Sequence, residues 1–328
     1  MYTQILFSLL SGKGCVNVQD NGHSTGVIAA IVAYIIWGVL PLYWKLLDHL
    51  SAIEVLAQRI IWSLVFMVVL LLVQKQLRPF WKEVKVIFSN KKTAVRITLA
   101  SLLISVNWSL FIWAVSNDRI IEASLGYYIN PIINVILAMI FLKERLTRMQ
   151  GASFFLAFIG VAIMTIYYGV FPWVALVLAS SFSLYGLLKK VVHIGAVFSL
   201  TIETLLMTPL ALLFILFSPL SSGMEVFVDT NTALILIGAG IVTATPLLLF
   251  STAANRISLS LIGFLQYIGP TIMLFLGIFL YKEPFQSVQL FAFLFIWSGL
   301  LIFTFSSLKQ FKKTNSQPAY VPAKQKSV

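Results

Sequence analysis

Two charged side chains lie deep inside apolar stretches of the sequence, where ionisable groups are costly and are commonly functional. At the 1.5 Å rise per residue of a helix, Arg59 lies about 12 Å inside one stretch and Glu203 about 10 Å inside another. We expect the two to pair or to flank a central cavity, in which Arg59 would attract an anionic group and Glu203 a proton or cation. A structural ion pair that seals the helices is the alternative. Glu54 and Glu122 lie nearer the ends of their stretches, where we expect ordinary solvated carboxylates.

Aromatic, amide and proline residues recur at helical spacing in the same stretches. Side chains at i, i+3, i+4 and i+7 share one helix face, and this spacing occurs at Tyr34, Trp37, Gly38 and Pro41 and again at Tyr127, Asn130, Pro131 and Asn134. Further candidates for the same cavity are Asn107, Trp108, Tyr185, Thr243, Gln266 and Tyr267. These faces predict a cavity for a small molecule, and helix-packing notches without a ligand are the alternative.

Prolines accompany these faces. A proline inside a helix removes one backbone hydrogen bond and can leave a carbonyl free to face a cavity. We expect helix kinks at Pro41, Pro131, Pro246 and Pro270.

Other kinds of chemistry lack the residues they need. His23, His49 and His193 are scattered over different segments and predict neither a metal site nor a catalytic pair. Cys15 is the single cysteine, so an internal disulfide and a cysteine-rich metal site are excluded. The run Gly12-Lys13-Gly14 lacks the spacing of a phosphate loop. We therefore expect no enzyme, no metal, no cofactor and no ATP-driven pumping.

The composition indicates what positions the candidate residues. Of 328 residues, 59% are hydrophobic and only 10% are charged, and the mean hydropathy is +0.95. A water-soluble globule could not bury so many apolar side chains. The net charge of +12 comes from basic residues between and after the apolar stretches, not from a separate basic domain. The lipid bilayer is therefore an expected partner, and nucleic acid is not.

Ten apolar stretches are long enough to form transmembrane helices. Crossing a hydrocarbon core of about 30 Å takes about 20 residues in a helix. The predicted spans are 27–44, 52–72, 97–116, 123–142, 152–168, 173–188, 198–217, 233–253, 258–280 and 288–306. The predicted fold is therefore an all-α integral membrane protein with ten transmembrane helices.

Lysine and arginine are distributed unevenly between the predicted loops. With the amino terminus inside, the inner segments hold 19 of the 23 Lys and Arg residues, whereas the outer loops hold only Lys45, Arg119 and Lys282. Cytoplasmic loops carry an excess of these residues. Both termini are therefore predicted to be cytoplasmic, with residues 1–25 forming a disordered head and residues 308–328 a basic tail.

The sequence also repeats itself at an offset of 139 residues. Tyr128, Ile129 and Pro131 match Tyr267, Ile268 and Pro270, and Lys143-Glu144 matches Lys282-Glu283. Spans four and five thus resemble nine and ten, which predicts two five-helix repeats, 26–169 and 170–307. Because five is odd, the second repeat crosses the membrane in the opposite sense. Inverted repeats are typical of secondary transporters, whose substrate site lies near the midplane between the halves.

Several longer strings carry a family resemblance. They are Ala33–Gly38 with Pro41, Arg59 with Trp62-Ser63, Asn107-Trp108 with Leu110–Val115, Glu122–Tyr127 with Ile129–Pro131, and Gly263-Phe264 with Gln266–Thr271. With these strings, residues 26–307 resemble the RarD family in the EamA branch of the drug/metabolite transporter superfamily. The resemblance implies two inverted EamA repeats of five helices, a bacterial cytoplasmic membrane location and an association with chloramphenicol sensitivity or resistance. It does not imply a particular substrate.

A secondary permease is the predicted function. It would carry a small metabolite or drug by alternating access, with the halves rocking about a cavity lined by spans one, three, four, six, eight and nine. A passive channel is one alternative, and a membrane-embedded enzyme or lipid-handling protein is the other. The expected partners are a small-molecule substrate and the bilayer. The substrate, transport direction, coupling ion and oligomeric state are left open.

Overall fold

The computed structural model describes residues 20–116, 120–169, 173–218, 228–280 and 286–315, and the regular structure in these ranges is helical. In chain order the helices are α1 (Asp20–Trp44), α2 (Ala52–Val73), α3 (Leu77–Ser89), α4 (Lys91–Ser116), α5 (Ile120–Phe141), α6 (Arg148–Tyr168), α7 (Trp173–Val192), α8 (Ala196–Phe217), α9 (Thr230–Ala254), α10 (Leu259–Gln266), α11 (Ile268–Phe275) and α12 (Ser287–Asn315). Most of the predicted head and tail, and the outer-loop residues Arg119 and Lys282, lie outside the described residues.

Ten helical stretches can cross the membrane. Among the described residues, nine are long and apolar enough to do so, and α5 adds a 22-residue helix whose most apolar part is Leu125–Phe141. Helices α10 and α11 form one crossing together with a π-helical turn at Leu276–Leu280. The predicted all-α membrane protein with ten transmembrane helices is confirmed.

Helix α3 is an addition that the apolar pattern did not predict. It lies in the long basic loop between the second and third crossings, and it is amphipathic. Phe80 and Ile87 are buried, and the Phe80 ring packs edge-on against Phe198 of α8 at 5.7 Å. Trp81 and Val86 are exposed. A helix with one polar and one apolar face is suited to lie in the membrane interface.

Capping residues determine where several helices begin and end. Thr147 and Gln150 form a reciprocal capping box at the start of α6, and Asp229 accepts backbone hydrogen bonds at the start of α9. Gly169 ends α6 in the left-handed region, with φ +66°, a conformation that glycine adopts without steric cost.

The helices pack in a two-fold pattern. Helix α5 packs on α7 as α10 and α11 pack on α1, α4 packs on α7 as α9 packs on α1, and α2 packs on α9 as α8 packs on α4. Helices α6 and α12 pack on each other. Exchanging the first five crossings with the last five leaves this set of pairs unchanged. Since five is odd, the two halves are inverted, as the internal repeat predicts.

The contact between α6 and α12 shows the repeat at single residues. A Cβ atom on Gly160 would lie 2.6 Å from the carbonyl oxygen of Ala292, and one on Gly299 would lie 2.7 Å from that of Ser153. Gly299 and Ala292 are the equivalents of Gly160 and Ser153 at the 139-residue offset. The two helices therefore approach each other closely at equivalent glycines.

Candidate functional site

A cavity of about 320 Å³ lies between the two halves. This volume is at the lower end of the range for small-molecule sites, which is about 300 to 1,000 Å³. Seven of the ten crossings line it. The lining residues are Tyr34, Trp37, Leu40, Pro41, Trp44, Arg59, Asn107, Trp108, Phe111, Gly126, Tyr127, Tyr128, Asn130, Leu178, Phe182, Thr243, Leu247, Gln266, Gly269, Pro270 and Met273. Six of these crossings are the predicted ones, and α2 joins them through Arg59.

Most of the cavity lies in one half of the membrane, and Thr243 and Leu247 of α9 lie at and just past the midplane. Helices α1 and α4 line it with their C-terminal halves, and α2, α5 and α7 with their N-terminal halves. Because successive crossings alternate in direction, these parts lie toward one face, which we call the far face. The opposite face, where α1 begins at Asp20, is the terminal face. The cavity extends from Gln266 near the midplane to Trp44 at the end of α1.

Arg59 provides a positive charge in the cavity wall. Its Cζ atom lies 4.4 Å from the centre of the Trp108 ring and 5.3 Å from that of Trp44. Aromatic faces stabilise a guanidinium by cation–π attraction. Its Nε atom is buried without a hydrogen-bond partner, and no carboxylate among the described side chains forms an ion pair with it. An anionic group in the cavity would meet this charge, with the 37% exposed Tyr127 beside it.

An amide network lies at the midplane end of the cavity. The Asn134 side-chain nitrogen donates to Asn130 Oδ1 at 3.2 Å and to Gln266 Oε1 at 2.9 Å. The Ser183 hydroxyl donates to Asn130 Oδ1 at 2.9 Å. Asn130 and Gln266 line the cavity, whereas Asn134 lies behind them and is 1% exposed. This network joins α5, α7 and α10 and closes the cavity toward the terminal face.

A cluster of aromatic rings forms another part of the cavity wall. The Trp37 ring lies 5.5 Å from Tyr34, 5.8 Å from Phe182 and 5.9 Å from Phe250. The Tyr185 ring stacks on Phe250 at 6.0 Å. Tyr34, Trp37 and Phe182 line the cavity, and the Tyr34 hydroxyl is buried without a partner.

Two predicted cavity residues have mainly structural contacts. The Asn107 amide donates to the carbonyl of Leu178 at 2.7 Å and to the Ser181 hydroxyl at 2.9 Å, which holds α4 against α7. Asn107 nevertheless borders the cavity. Tyr267 is buried outside it, and its hydroxyl donates to the carbonyl of Tyr128, its repeat equivalent, at 3.3 Å.

The predicted pairing of Arg59 with Glu203 is wrong. Glu203 is 3% exposed, and its carboxylate pairs with Lys189 at 2.6 Å. The Ser199 and Tyr185 hydroxyls also donate to it, at 2.8 Å and 3.0 Å. Glu203 and Tyr185 border a side cavity of about 20 Å³ instead of the central one. The reason is that α7 continues to Val192, so Lys189 lies inside the helix and reaches Glu203.

Glu54 also differs from expectation. It is 1% exposed and therefore not a solvated carboxylate. The side chain of Glu122 lies outside the described residues.

The four prolines differ in their relation to the cavity. Pro41 and Pro270 line it directly. The carbonyl freed by a helix proline belongs to the residue four positions earlier, and for Pro41, Pro131 and Pro270 these residues are Trp37, Tyr127 and Gln266, all of which line the cavity. Pro246 is buried in α9 and does not line the cavity.

Sequence reasoning missed the apolar part of the lining. Trp44, Phe111, Phe182 and Met273 border the cavity, but their residue types are equally common on lipid-facing surfaces, so the sequence contains no signal that separates the two environments. Within the described ranges, no three His, Cys, Asp or Glu side chains lie close enough to hold a metal ion.

Comparisons with known proteins agree with this architecture. The EamA-like transporter family matches residues 24–166. A protein of Bacillus subtilis strain 168, named uncharacterized transporter YojE, is 47% identical over 89% of this chain and 97% of its own length. Protein RarD of Escherichia coli K12 is 41% identical over 88% of this chain and 97% of its own.

A solved crystal structure shares the fold. It covers 87% of this chain and 98% of its own, with a TM-score of 0.68 at 17% sequence identity. At this identity the likeness shows the fold alone. The extent and identity of the sequence matches decide the family: the chain belongs to the EamA-like transporter family, among the RarD proteins.

Proposed function

We propose that the protein is a secondary transporter that carries a small solute across the membrane by alternating access, with residues 26–169 and 170–307 as the two moving repeats. The observation that carries the proposal is the central cavity, which reaches toward the far face and is closed toward the terminal face by the Asn130, Asn134 and Gln266 network. A site between inverted repeats can be exposed to either side when one repeat rocks against the other.

The solute proposed is a small molecule with an anionic group beside an apolar or aromatic part. Arg59 supplies the charge, and the rings of Trp108 and Trp37 supply flat apolar surface in the same cavity. A guanidinium can donate two parallel hydrogen bonds to a carboxylate or phosphate. Asn107 and Thr243 also line the cavity, and their polar side chains can orient the solute.

The orientation proposed places the terminal face in the cytoplasm of a bacterium. Arg78, Lys82 and Lys85 of α3 lie on this face, and Lys45 follows α1 at the far face. The excess of basic residues at the terminal face supports this assignment. The cavity would then face the outside of the cell.

Solute uptake into sealed proteoliposomes tests the proposal. The solutes tested are amino acids, small carboxylates and chloramphenicol, and chloramphenicol is included because of the resemblance to RarD proteins. Uptake of each solute is measured with and without a pH gradient. We expect saturable uptake of at least one anionic solute, lost in Arg59→Ala and partly kept in Arg59→Lys. Arg78→Ala is the matched control, because it removes a guanidinium from the exposed face of α3.

Three results would contradict the proposal. Uptake that does not saturate and shows no counterflow would indicate a passive channel. A chemically altered solute, detected by mass spectrometry, would indicate an enzyme. Equal uptake by Arg59→Ala and Arg78→Ala would remove Arg59 from the site.

A further inference from the structure

The Lys189–Glu203 pair lies apart from the central cavity and has no role in the proposed solute site. Both side chains are almost fully buried, at 4% and 3% exposed. The Glu203 carboxylate accepts hydrogen bonds from Lys189, Ser199 and Tyr185, and the Lys189 ammonium also donates to the Ser199 hydroxyl at 2.8 Å. The pair joins α7 to α8 in the membrane half that is closed.

Stability alone gives little reason for such a pair. Removing two charges from water costs about as much as their attraction returns, so an apolar pair of similar volume often stabilises a fold equally well. A buried ionisable group inside a membrane protein is instead a candidate for ion or proton binding.

The side cavity connects the pair to the solute site. Its volume of about 20 Å³ is enough for one water molecule. Trp108, Thr243 and Leu247 line both the side cavity and the central cavity. The Thr243 hydroxyl is buried without a hydrogen-bond partner, and Thr243 borders the same side cavity as Glu203. A proton that moves from the central cavity to Glu203 therefore has a short route, which crosses one layer of side chains.

Among the groups at the end of this route, Glu203 is the one that accepts the proton. The titratable groups that face it are Lys189 and Tyr185, both on α7. The side-cavity walls from α2, α4 and α9 carry no titratable group among the described residues. Helix α3 contacts α8 through the ring of Phe198, more than one helical turn before Glu203.

We propose that Glu203, held by Lys189, is a proton-binding site that couples proton movement to the side on which the cavity opens. This inference rests on the proposed transport function. A proton that arrives from the central cavity binds a Glu203 oxygen, and the net charge of the pair changes from zero to plus one. Lys189 is then a buried cation without a counter-charge, which disfavours the closed terminal half.

Opening of the terminal half removes the energetic cost of this buried charge. Lys189 lies one turn before the end of α7 at Val192, so its ammonium reaches water when that half opens. The proton leaves Glu203 to the water on that side, and the ion pair forms again. One proton therefore moves from the far face to the terminal face in each cycle.

Thiol labelling of the full-length protein in nanodiscs tests the proposal without any solute. The background is Cys15→Ser, which removes the single cysteine. The reporter is Ser260→Cys in α10, a position that is 3% exposed near the terminal face. The control is Ser89→Cys, an exposed position at the end of α3, which corrects for the pH dependence of the thiol reaction. The measured quantity is the ratio of the two labelling rates by a polar maleimide.

We expect this ratio to rise several-fold as the pH is lowered, because protonation of the Glu203 carboxylate leaves Lys189 without its counter-charge in the closed half. Glu203→Gln resembles the protonated side chain, so its ratio should be high and independent of pH. Ser199→Ala removes one hydrogen bond that favours the carboxylate, so its ratio should be higher than that of the reporter background at the same pH. Ser199→Ala tests the proposal if Glu203→Gln does not fold.

A ratio that does not change with pH in the reporter background would overturn the proposal, as would an unchanged ratio in both Glu203→Gln and Ser199→Ala. Either result, with Arg59-dependent uptake intact, would reject the proton site alone. If no Arg59-dependent uptake is observed, the transport proposal is rejected, whereas a pH-dependent labelling ratio would still show that Glu203 controls the opening of the terminal half.

Discussion

At the scale of single residues, the two buried charges of the halves have different environments. Arg59 lies against the rings of Trp44 and Trp108 in the wall of the central cavity. Glu203 lies in an ion pair with Lys189 outside that cavity. A charge held by rings is available to a ligand, whereas a paired charge is compensated within the protein.

The ion pair leads to a prediction about stability. Lys189→Met removes one partner and leaves the Glu203 charge buried, so we expect a loss of about 3–5 kcal/mol in the free energy of unfolding. Lys189→Met combined with Glu203→Leu should recover most of this loss, because no buried charge remains. Denaturant titration of the purified protein in detergent micelles measures both, and Arg59→Ala is a reference with little expected effect. If the double variant were as unstable as the single one, the ion pair would not explain the loss.

The depth of Arg59 and Glu203 could be predicted from sequence, but their partners could not. Depth follows from counting residues along a helix. Partners depend on which way each helix faces its neighbours, and no apolar pattern encodes this when a helix is apolar on all sides. Predicted span six stops at Leu188 and leaves Lys189 in an inner loop, whereas α7 continues to Val192.

At the scale of elements, the turn between α9 and α10 is held by both halves. The Glu144 carboxylate, from the loop between α5 and α6, accepts hydrogen bonds from the backbone N–H groups of Leu259 and Ser260 at 2.9 Å and 3.2 Å. Lys190 donates to the carbonyl of Ile257 at 2.5 Å. A carboxylate at a helix start stabilises it through free N–H groups and the helix dipole.

Removing this cap should loosen the terminal face. Glu144→Ala leaves two backbone donors without their partner, and we expect a local cost of about 1–2 kcal/mol. Hydrogen exchange measured by mass spectrometry should show faster exchange in the peptide that contains α10, and Glu144→Gln, which keeps one acceptor oxygen, should show a smaller change. Exchange in α10 that matches the unmodified protein would mean that Glu144 does not hold this turn.

The glycines between α6 and α12 give a second prediction at this scale. Gly160→Ala and Gly299→Ala each place a methyl group against a backbone oxygen, so both should destabilise the protein by about 1–3 kcal/mol. Gly151→Ala is the matched control in α6, because nothing lies within 4 Å of its Cβ position. It should be neutral or stabilising. Thermal unfolding compares the three, and a large difference between Gly160→Ala and Gly299→Ala would contradict their equivalence.

The ten crossings could be predicted because each is a long apolar stretch, but three other features could not. Helix α3 has a polar face, so a search for apolar stretches passes over it. The interruption between Gln266 and Ile268 divides a continuous apolar stretch, and Pro270 marks it only approximately. No residue type marks the point at which α11 passes into the π-helical turn at Leu276–Leu280.

At the scale of the whole molecule, the central cavity departs from the symmetry of the inverted repeat. The helix pairs are two-fold symmetric, yet most of the cavity lies between the midplane and the far face. The side chains that close the terminal half therefore break the symmetry, and Asn134, Ser183 and the Lys189–Glu203 pair belong to this closed half. Which half is closed could not be predicted from sequence, because the repeat relates both halves equally.

Blocking the cavity tests most directly whether solute passes through it. Met273→Cys, in the Cys15→Ser background, places the only thiol in the cavity wall, and a bulky maleimide attached there would fill much of the 320 Å³. Uptake of the solute that the panel identifies should then be abolished, whereas the same reagent on Ser89→Cys should leave uptake unchanged. Full uptake after complete modification of Met273→Cys would contradict transport through the cavity between the two halves.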